Sequence, residues 1–410
     1  MTSATNIDAR GQRLPAVVWP LLFGNFVIGT GVMVVPGTLN EISSSLDVSI
    51  AVAGQLISAA ALLMAIGAPV MAAVVGSWDR RRLLMLSMLW YALMHLVSAA
   101  ATDIGELLPL RVITMLSPAI FTPQAAACVG MLVPPHQRGR AITFIFVGWS
   151  LASVLGMPLS AFLGGTLGWR SAFAVVGVLG LVSTVWIWRS MPRGVKPPAL
   201  STAAWGQVFS SRTLLLCLAV TVLSSAGQFS QFSYFAPYFK ERLDISPGAL
   251  SALFMWFGAA GLLGNVLMSR YIDRLGNHRA VMIGLALMAL GLAAWSMGST
   301  LATAAAVCLP WALGCFSTNS AQQARLVSLA PSLASGSIAL NSSAMYAGQA
   351  IGAASGGWVI LNGGFMQLHW AGFAGLVLAM LASAAAARAA RDETVGLSGA
   401  AIASPVRRDR

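Results

Sequence analysis

Charged side chains are scarce in this chain: they make up 9% of its 410 residues, whereas 57% of the residues are hydrophobic. A soluble globular domain carries about 25% charged residues, so this composition cannot supply a water-exposed surface. Apolar runs of about 20 residues, long enough to cross the hydrocarbon core of a bilayer as helices, recur along the whole chain. The scarcity of charge therefore excludes a soluble domain and predicts an integral membrane protein.

The apolar runs also lack the alternation of polar and apolar residues that is typical of strands in a membrane barrel, so we predict helices. The expected fold is an all-α integral membrane protein with twelve transmembrane helices in two pseudo-symmetric six-helix bundles. The predicted spans, numbered 1 to 12 in chain order, cover 16–38, 52–76, 83–100, 105–131, 141–165, 169–190, 213–237, 249–269, 280–298, 301–324, 337–360 and 370–389.

Carboxylates are absent from the middle of every predicted span, although the chain has 12 acidic residues. An intramembrane carboxylate is the usual proton or sodium carrier of a coupled transporter. The nearest candidates are Asp103 and Glu106 at the outer end of span 4, which are also explained as acids favoured by the dipole at a helix start. Arg111 is the one cation well inside a span. It is expected either to have a functional partner or cavity, or to snorkel to the outer interface.

Motifs of catalysis and of metal or nucleotide binding are missing as well. The four cysteines have no paired spacing and are interpreted as buried apolar residues. The four histidines form no constellation with acids inside the spans, no metal-ligand cluster occurs, and no phosphate-binding glycine loop is found. We therefore expect no metal and no cofactor, and we expect neither ATP-driven transport nor an enzyme. His95 in span 3 is expected either to titrate near neutral pH or to be a hydrogen-bonded structural group, which is the more common role of a lone membrane histidine.

The net charge of +12 is distributed unevenly. Of the 24 lysine and arginine residues, 20 fall on one face of the membrane and 3 on the other, and the remaining one is Arg111. The three are Arg170, Lys240 and Arg242. By the positive-inside rule this bias predicts that both termini lie in the cytoplasm. Because topology accounts for the basic balance, we expect a lipid bilayer as the surroundings and no nucleic-acid partner.

A segment rich in proline, serine and arginine divides six predicted spans from six. Such a composition on the basic side is typical of a cytoplasmic linker. We predict an N-terminal bundle over 1–190, the linker over 191–212, a C-terminal bundle over 213–390 and a cytoplasmic tail over 391–410.

Uncharged polar side chains interrupt the apolar runs of spans 1, 7 and 10. The candidate substrate-binding residues are Asn25, Gln228, Gln231, Tyr234, Thr318, Asn319, Gln322 and Gln323. Helical spacing places Cys315, Thr318, Gln322 and Arg325 on one face of span 10, with Asn319 beside it. Because amides are costly against lipid, this face is expected to look at protein or water. A cavity of this chemistry fits a neutral or weakly polar organic molecule, although interhelical hydrogen bonding is the alternative for each residue.

Glycines repeat with the same spacing in spans 5 and 11. Gly156, Ser160, Gly164 and Gly165 in span 5 are matched, at an offset of 192 residues, by Gly348, Gly352, Gly356 and Gly357 in span 11. Small residues four apart allow helix backbones to approach closely. We interpret spans 5 and 11 as the seam between two bundles that must slide in transport, and simple packing is the alternative.

Three stretches carry a resemblance to a known family. They are RGRAITFIFVGWSLASVLGMPLSAFLGGTLGWRSAF, GLLGNVLMSRYIDRLGNHR and AQQARLVSLAPSLASGSIALNSSAMYAGQAIGAASGG. Nearly the whole chain resembles a major facilitator superfamily transporter of the twelve-span drug/proton antiporter branch. It is similar to bacterial arabinose-type, purine and nucleoside efflux permeases and to chloramphenicol exporters.

The resemblance implies roles for particular residues. Arg111 matches the span 4 arginine associated with proton coupling, helped by Asp103 or Glu106. A loop motif that closes the inward mouth matches Asp273, Arg274, Gly276 and Arg279. Its copy in the first half departs from the pattern: Gly76 and Ser77 take the Asp-Arg positions and Asp79, beside Arg80, takes the glycine position. The latch there is expected to be either re-formed by Asp79 or weakened. The antiporter signature is present at Gly156 and Gly164, but Ser160 and Ala161 replace its central Gly-Pro.

The expected function is export of small organic solutes across the bacterial inner membrane by alternating access, driven by proton antiport. An uncoupled facilitator or importer of a neutral solute such as a sugar or nucleoside is the alternative. A membrane enzyme or receptor is the third possibility, which the missing motifs disfavour. The expected partners are a small-molecule substrate, protons and the bilayer, and the carrier is expected to act as a monomer.

Overall fold

The computed structural model describes residues 14–75, 77–134, 137–196, 210–330 and 334–403. All regular secondary structure in these residues is helical, which confirms the all-α prediction. The middle of the predicted linker, the first part of the chain and the end of the predicted tail lie outside the described residues.

Six spans form the N-terminal bundle. Its helices are Val18–Gly37, Leu39–Ser45, Ile50–Val74, Arg80–Ala99, Ile104–Thr114, Leu116–Leu132, Arg138–Leu151, Met157–Leu167 and Trp169–Ser190. Span 4 consists of the two helices that meet at Met115, and span 5 contains a π-helical turn, Ala152–Gly156, between its two helices.

Six further spans form the C-terminal bundle. Its α-helices are Arg212–Phe232, Phe235–Leu243, Pro247–Leu275, Asn277–Ala293, Leu301–Leu329, Ala334–Gly363 and Leu368–Ala403. The first two together form span 7, and each of the others is one span.

Ten of the described helical segments are long and apolar enough to cross a bilayer. Span 9, Asn277–Ala293, is a shorter apolar helix. Span 11, Ala334–Gly363, has 30 residues of helix but contains many glycine, serine and amide side chains. All twelve predicted spans are therefore helical in the part of the chain that the structure describes.

Side-chain caps explain where several spans begin. Ser49, Asp103, Ser246 and Thr300 each accept a hydrogen bond from a backbone N–H in the first turn of the following helix. The first N–H groups of a helix have no partner within it, and a cap supplies one. All four residues lie in turns at the same end of the molecule, which we call the distal end. The opposite end, which holds Arg80, is called the basic end.

The two bundles meet along a seam formed by span 2 against span 11 and by span 5 against span 8. The contacts are closest in the distal half. Ser251 Oγ donates to the Pro158 carbonyl at 2.9 Å, and Gly258 lies directly against the Ser153 carbonyl. The distal half of the seam is therefore tightly closed.

Candidate functional site

Arg111 is the most unusual side chain in the N-terminal bundle. It is 2% exposed, and it donates from Nη1 to the Gly31 carbonyl at 2.8 Å and from Nη2 to the Val32 carbonyl at 3.0 Å. Among the described residues no carboxylate pairs with it. The guanidinium therefore ties span 4 to span 1 through backbone oxygens, and the snorkelling interpretation does not describe its position.

The sequence of span 1 makes one of these oxygens available. In a regular helix the Val32 carbonyl would accept a hydrogen bond from the N–H four residues later, but that residue is Pro36, which has no N–H. An unpaired carbonyl inside a membrane is costly, and Arg111 satisfies it. The proline was a readable signal for this partner, and we did not connect it with Arg111 from the sequence.

His95 and Tyr91 of span 3 surround the same part of span 1. Tyr91 Oη donates to the Ile28 carbonyl at 2.9 Å, and His95 Nδ1 lies 2.9 Å from the Tyr91 carbonyl. A Cβ added at Gly31 would meet both rings, so this glycine allows span 1 to approach them. His95 is 1% exposed, and its Nε2 has no hydrogen-bond partner among the described residues.

Asp103 and Glu106 lie at the distal end of span 4, apart from Arg111. Asp103 caps the helix by accepting from the Glu106 N–H, and Glu106 Oε2 accepts from both the N–H and the hydroxyl of Thr102. Both acids are exposed. The structure does not bring either of them into contact with the guanidinium, and their predicted role in proton coupling stays a prediction.

Asn25 belongs to a polar network between spans 1, 4 and 5. Its amide Nδ2 donates to the Ile145 carbonyl at 3.2 Å, and its Oδ1 accepts from Thr122 Oγ1 at 2.8 Å. Trp149 Nε1 in turn donates to Thr122 at 3.4 Å. Asn25 is fully buried and hydrogen-bonded at both ends, so this geometry describes a contact between helices within the N-terminal bundle.

The three candidate residues of span 7 have different surroundings. Gln228 is half-buried and donates to Cys315 Sγ of span 10 at 2.7 Å. Gln231 is 0% exposed, and neither amide atom has a partner among the described residues. Tyr234 Oη donates to the Ala353 carbonyl at 2.7 Å, and its ring also lies against Gly54 of span 2. Tyr234 is thus a residue of the distal seam.

Span 10 divides its polar residues between a buried and a more open face. Thr318 donates to the Gly314 carbonyl of its own helix, and Gln322 donates to the Cys217 carbonyl of span 7 at 2.6 Å. Both are buried. Asn319 and Gln323 are half-buried instead, and Asn319 accepts from Asn341 of span 11 at 3.4 Å.

Helical spacing explains this division. Asn319, Ser320 and Gln323 share the open face, whereas the face predicted from Thr318, Gln322 and Arg325 points into the bundle. Arg325, for example, donates to the hydroxyl and the carbonyl of Ser383 in span 12. The polar cluster in span 10 could be predicted from the sequence, but the face of the helix that remains accessible could not.

The position of the repeated glycines requires a correction. Five of them pack inside their own bundles and not across the seam. Gly156 and Gly164 lie against Thr30 and Thr38 of span 1, and Gly348, Gly352 and Gly356 of span 11 lie against span 7. The reason is that close helix packing within each bundle also needs small residues.

The following glycine of each repeat reaches the other bundle. A Cβ at Gly165 would come within 2.6 Å of Pro247 in span 8. A Cβ at Gly357 would meet the Tyr234 hydroxyl of its own bundle at 2.7 Å and Ala51 of span 2, in the other bundle, at 3.7 Å. The adjacent glycines in both repeats could have indicated two faces, one for each neighbour. The gating role of the first-named glycines stays a prediction.

The two loops predicted to act as gates differ at the basic end. Asp79 accepts from the Arg82 N–H at 3.1 Å and from the Gly194 N–H at 2.6 Å, and Arg80 donates to the Val75 and Trp78 carbonyls. Although partial burial acts in the opposite direction, these backbone donors lower the pKa of Asp79. The first loop is thus held by hydrogen bonds within its own bundle.

The second loop turns at Gly276, whose φ of 78° lies in the region that favours glycine. Asp273, Arg274 and Arg279 around it are exposed and make no hydrogen bond or ion pair with another described residue. Within the described residues these side chains therefore make no polar contact with the N-terminal bundle, and the predicted gating role of the loop stays a prediction.

Known proteins resemble this chain over most of its length. A profile of the Major Facilitator Superfamily matches residues 21–353. The inner membrane transport protein YdhP of Escherichia coli K12 is 31% identical over 372 residues, which cover 88% of this chain and 95% of that protein. A chloramphenicol resistance protein of Streptomyces lividans is 30% identical over 265 residues, covering 64% of this chain and 68% of that protein.

Two further comparisons extend this relationship. A probable sugar efflux transporter of Helicobacter pylori HPAG1 is 27% identical, with 87% of this chain and 90% of that protein covered. The crystal structure of a bacterial homologue of the human lysosomal transporter Spinster superposes with a TM-score of 0.74 at 17% identity, covering 92% and 96% of the two chains. The chain, with its two helical bundles and its buried arginine at their distal half, belongs to the Major Facilitator Superfamily and is a membrane transporter of small solutes.

Proposed function

We propose that the protein exports small, neutral or weakly polar organic solutes from the bacterial cytoplasm in exchange for protons. The positive-inside rule places the basic end in the cytoplasm. The distal half of the seam is closed, so in this conformation the central polar residues are separated from the outer side. Two bundles that rock about the seam would expose the central polar residues to each side in turn. We assign one bundle to each half of the chain and propose a monomer.

The observation that carries the proton-coupling proposal is the position of Arg111. A buried cation without a carboxylate holds two carbonyl oxygens of span 1, one of which is free because of Pro36. A cation in such a place is sensitive to any second charge nearby, because the low dielectric weakly screens it. Arg111 would therefore link a change in protonation to the position of span 1 relative to span 4.

The solute class follows from the open face of span 10 and from Gln228. These side chains offer amide and hydroxyl groups, and no acid lies among them. Groups of this kind hydrogen-bond a neutral solute and give a cation no counter-charge. The names of two relatives, a chloramphenicol resistance protein and a probable sugar efflux transporter, support a neutral, hydroxyl-bearing solute.

An uncoupled facilitator or importer is the second candidate, and a specific observation favours it. No carboxylate lies in the middle of a described span, so the usual proton carrier is missing. In that case Arg111 would only fasten span 1 to span 4, and solute would move down its own gradient.

Everted membrane vesicles distinguish these two functions. The vesicles are energised to an acid interior, a pH-sensitive dye reports the gradient, and chloramphenicol, arabinose or a nucleoside is added. Proton antiport predicts that one of these probes collapses the gradient in wild-type vesicles and has no such effect with Arg111→Ala. Vesicles without the protein serve as the control.

A facilitator gives a different result. If radiolabelled probe moves through the protein while the pH gradient stays unchanged, the transporter is a facilitator. An equal collapse of the gradient in the wild type and in Arg111→Ala would contradict the role of the arginine.

A further inference from the structure

The His95 imidazole ring lies beside a backbone carbonyl. Its Nδ1 lies 2.9 Å from the Tyr91 carbonyl, and a carbonyl oxygen only accepts hydrogen bonds. In the neutral tautomer with the hydrogen on Nδ1, the ring donates to this carbonyl, and Nε2 is a bare acceptor. This nitrogen is buried and has no hydrogen-bond donor among the described residues. The ring is thus prepared to take up one proton at a known atom.

The groups around this nitrogen come from four other spans. Span 1 contributes Gly31, whose added Cβ would come within 2.8 Å of Nε2, and span 6 contributes the apolar ring of Phe173 at a centroid distance of 5.7 Å. Span 4 contributes Arg111, the charged group that acts electrostatically on the imidazole. The titratable neighbours are Tyr91 of span 3 itself and Tyr346 of span 11, which acts on Tyr91.

Protonation of His95 Nε2 would destabilise the present position of the Arg111 guanidinium. Both cations would lie beside the Gly31 carbonyl, which Arg111 already occupies at 2.8 Å, and their repulsion is weakly screened inside the membrane. The neutral imidazole is therefore compatible with the observed contact between spans 1 and 4. A protonated ring favours an arrangement in which Arg111 releases this oxygen.

We propose that His95 Nε2 is the proton-binding atom of this transporter, and that its protonation competes with the hold of Arg111 on span 1. This inference rests on the proposed proton coupling. By linkage, the proton binds more weakly to the conformation seen here and more tightly to the one with an open distal side. A proton would thus be taken up outside and released inside, which is the direction that proton-driven export requires.

A surface groove lies at the distal end of spans 3 and 4. It has a volume of about 420 Å³ and is lined by Val97 of span 3, by Ala100 and Ala101 of the following turn and by Glu106 and Leu110 of span 4. His95 and Arg111 lie about one helical turn deeper on the same two spans.

The test measures how pH shifts the conformation of the complete protein in lipid nanodiscs. Spin labels are attached to Ser44→Cys and Ser299→Cys, which replace exposed residues at the distal ends of the two bundles, and the four native cysteines are buried. Pulsed electron resonance then gives the distance distribution between the labels. In the wild type, acidification from about pH 8 to about pH 5.5 is expected to increase the long-distance population about twofold or more.

Three variants test whether His95 causes the pH-dependent change in the distance distribution. His95→Asn still offers an amide donor to the Tyr91 carbonyl but cannot take up a proton, and His95→Gln is a second neutral replacement in case the first does not fold. Both are expected to abolish the pH dependence. His369→Asn is the matched control, because His369 is also buried at the distal end but belongs to the other bundle. It is expected to keep the wild-type shift.

The outcomes separate this inference from the proposed function. If both His95 variants keep the wild-type shift, His95 is not the proton site, although proton coupling itself remains supported. If the wild type shows no shift, proton coupling is contradicted as well. Equal loss of the shift in His95→Asn and His369→Asn overturns the assignment, because removal of any buried imidazole would then have the same effect.

A second readout needs no variant at His95. Nitrogen NMR of histidine-labelled wild-type protein has to resolve four residues. We expect one signal with hydrogen on Nδ1 and a bare Nε2 at about pH 8, which becomes doubly protonated on acidification. A signal for His95 that stays neutral throughout this range would overturn the proposal.

Discussion

Spans 4 and 10 hold the fourth position in their bundles, and each has a proline in its first half, Pro109 or Pro310. Their polar groups nevertheless differ. Span 4 places the charged Arg111 in the distal half, where backbone carbonyls of span 1 bind it. Span 10 places amides and hydroxyls near its middle, and its own arginine, Arg325, lies farther along the helix and binds Ser383 of span 12.

This difference indicates a division of labour between the bundles. A buried charge responds strongly to a second charge, whereas amides respond to hydrogen-bonding shape. The N-terminal bundle is thus suited to sense protonation, and the C-terminal bundle is suited to bind the solute. The seam has to connect the two events, because the groups involved lie on different bundles.

The largest effect on transport is expected from a substitution that disrupts the seam between the bundles. In Gly258→Ala the new Cβ would come within 2.5 Å of the Ser153 carbonyl, which is a backbone group and cannot rotate away. The distal half would be forced apart, so transport in proteoliposomes of the radiolabelled probe that the wild type moves should fall about tenfold or more. Gly248→Ala is the control, because no atom lies within 4 Å of its added Cβ. Equal transport by the two variants would contradict the importance of the closed seam.

An intermediate effect is expected when one amide side chain from each bundle is removed and the two variants are compared. Asn25→Ala removes a fully buried, doubly hydrogen-bonded side chain, so its free energy of unfolding in detergent should fall by about 1–3 kcal/mol. Gln323→Ala removes a half-buried amide on the open face of span 10. It should instead raise the half-saturating solute concentration about threefold to tenfold, with little change in stability. The reverse pattern would assign the solute to the N-terminal bundle.

The smallest expected effect concerns the first loop at the basic end. Asp79→Asn weakens the cap of span 3 and the bond to the Gly194 N–H, which should cost about 1 kcal/mol of unfolding free energy. Because the pKa of Asp79 is lowered in the folded state, this stabilisation is present above the unfolded value, near 3.8, and is lost as pH falls below it. Thermal unfolding at neutral and acid pH measures the difference. A variant as stable as the wild type at pH 7 would show that the loop is not fastened by this residue.

Much of the fold could be predicted from the sequence, because the lipid bilayer imposes simple constraints on a spanning segment. Helix length, the absence of alternation and the charge bias together predicted twelve helical spans, since a bilayer leaves no other way to satisfy the backbone of a spanning segment. The short span 9 and the polar span 11 are among the predicted spans as well, because each still contains a long apolar run.

The faces of the helices were harder to predict. Asn319 and Thr318 are adjacent in sequence, yet one is accessible and the other is packed in the bundle, and this depends on which neighbour each helix meets. The same limit applies to Gly164 and Gly165. The bond between Arg111 and Val32 was missed for a different reason: it joins a side chain to a backbone oxygen that only Pro36 leaves unpaired.

The most direct test of the division of labour measures coupling and binding in the same proteoliposomes. Radiolabelled chloramphenicol is followed under an imposed pH gradient and in exchange without a gradient, with Arg111→Gln and Gln323→Ala. We predict that Arg111→Gln loses gradient-driven accumulation but keeps solute exchange, whereas Gln323→Ala keeps the dependence on the gradient with a higher half-saturating concentration in both modes. Gradient-driven accumulation that persists in Arg111→Gln and disappears in Gln323→Ala would contradict the separation of proton and solute between the two bundles.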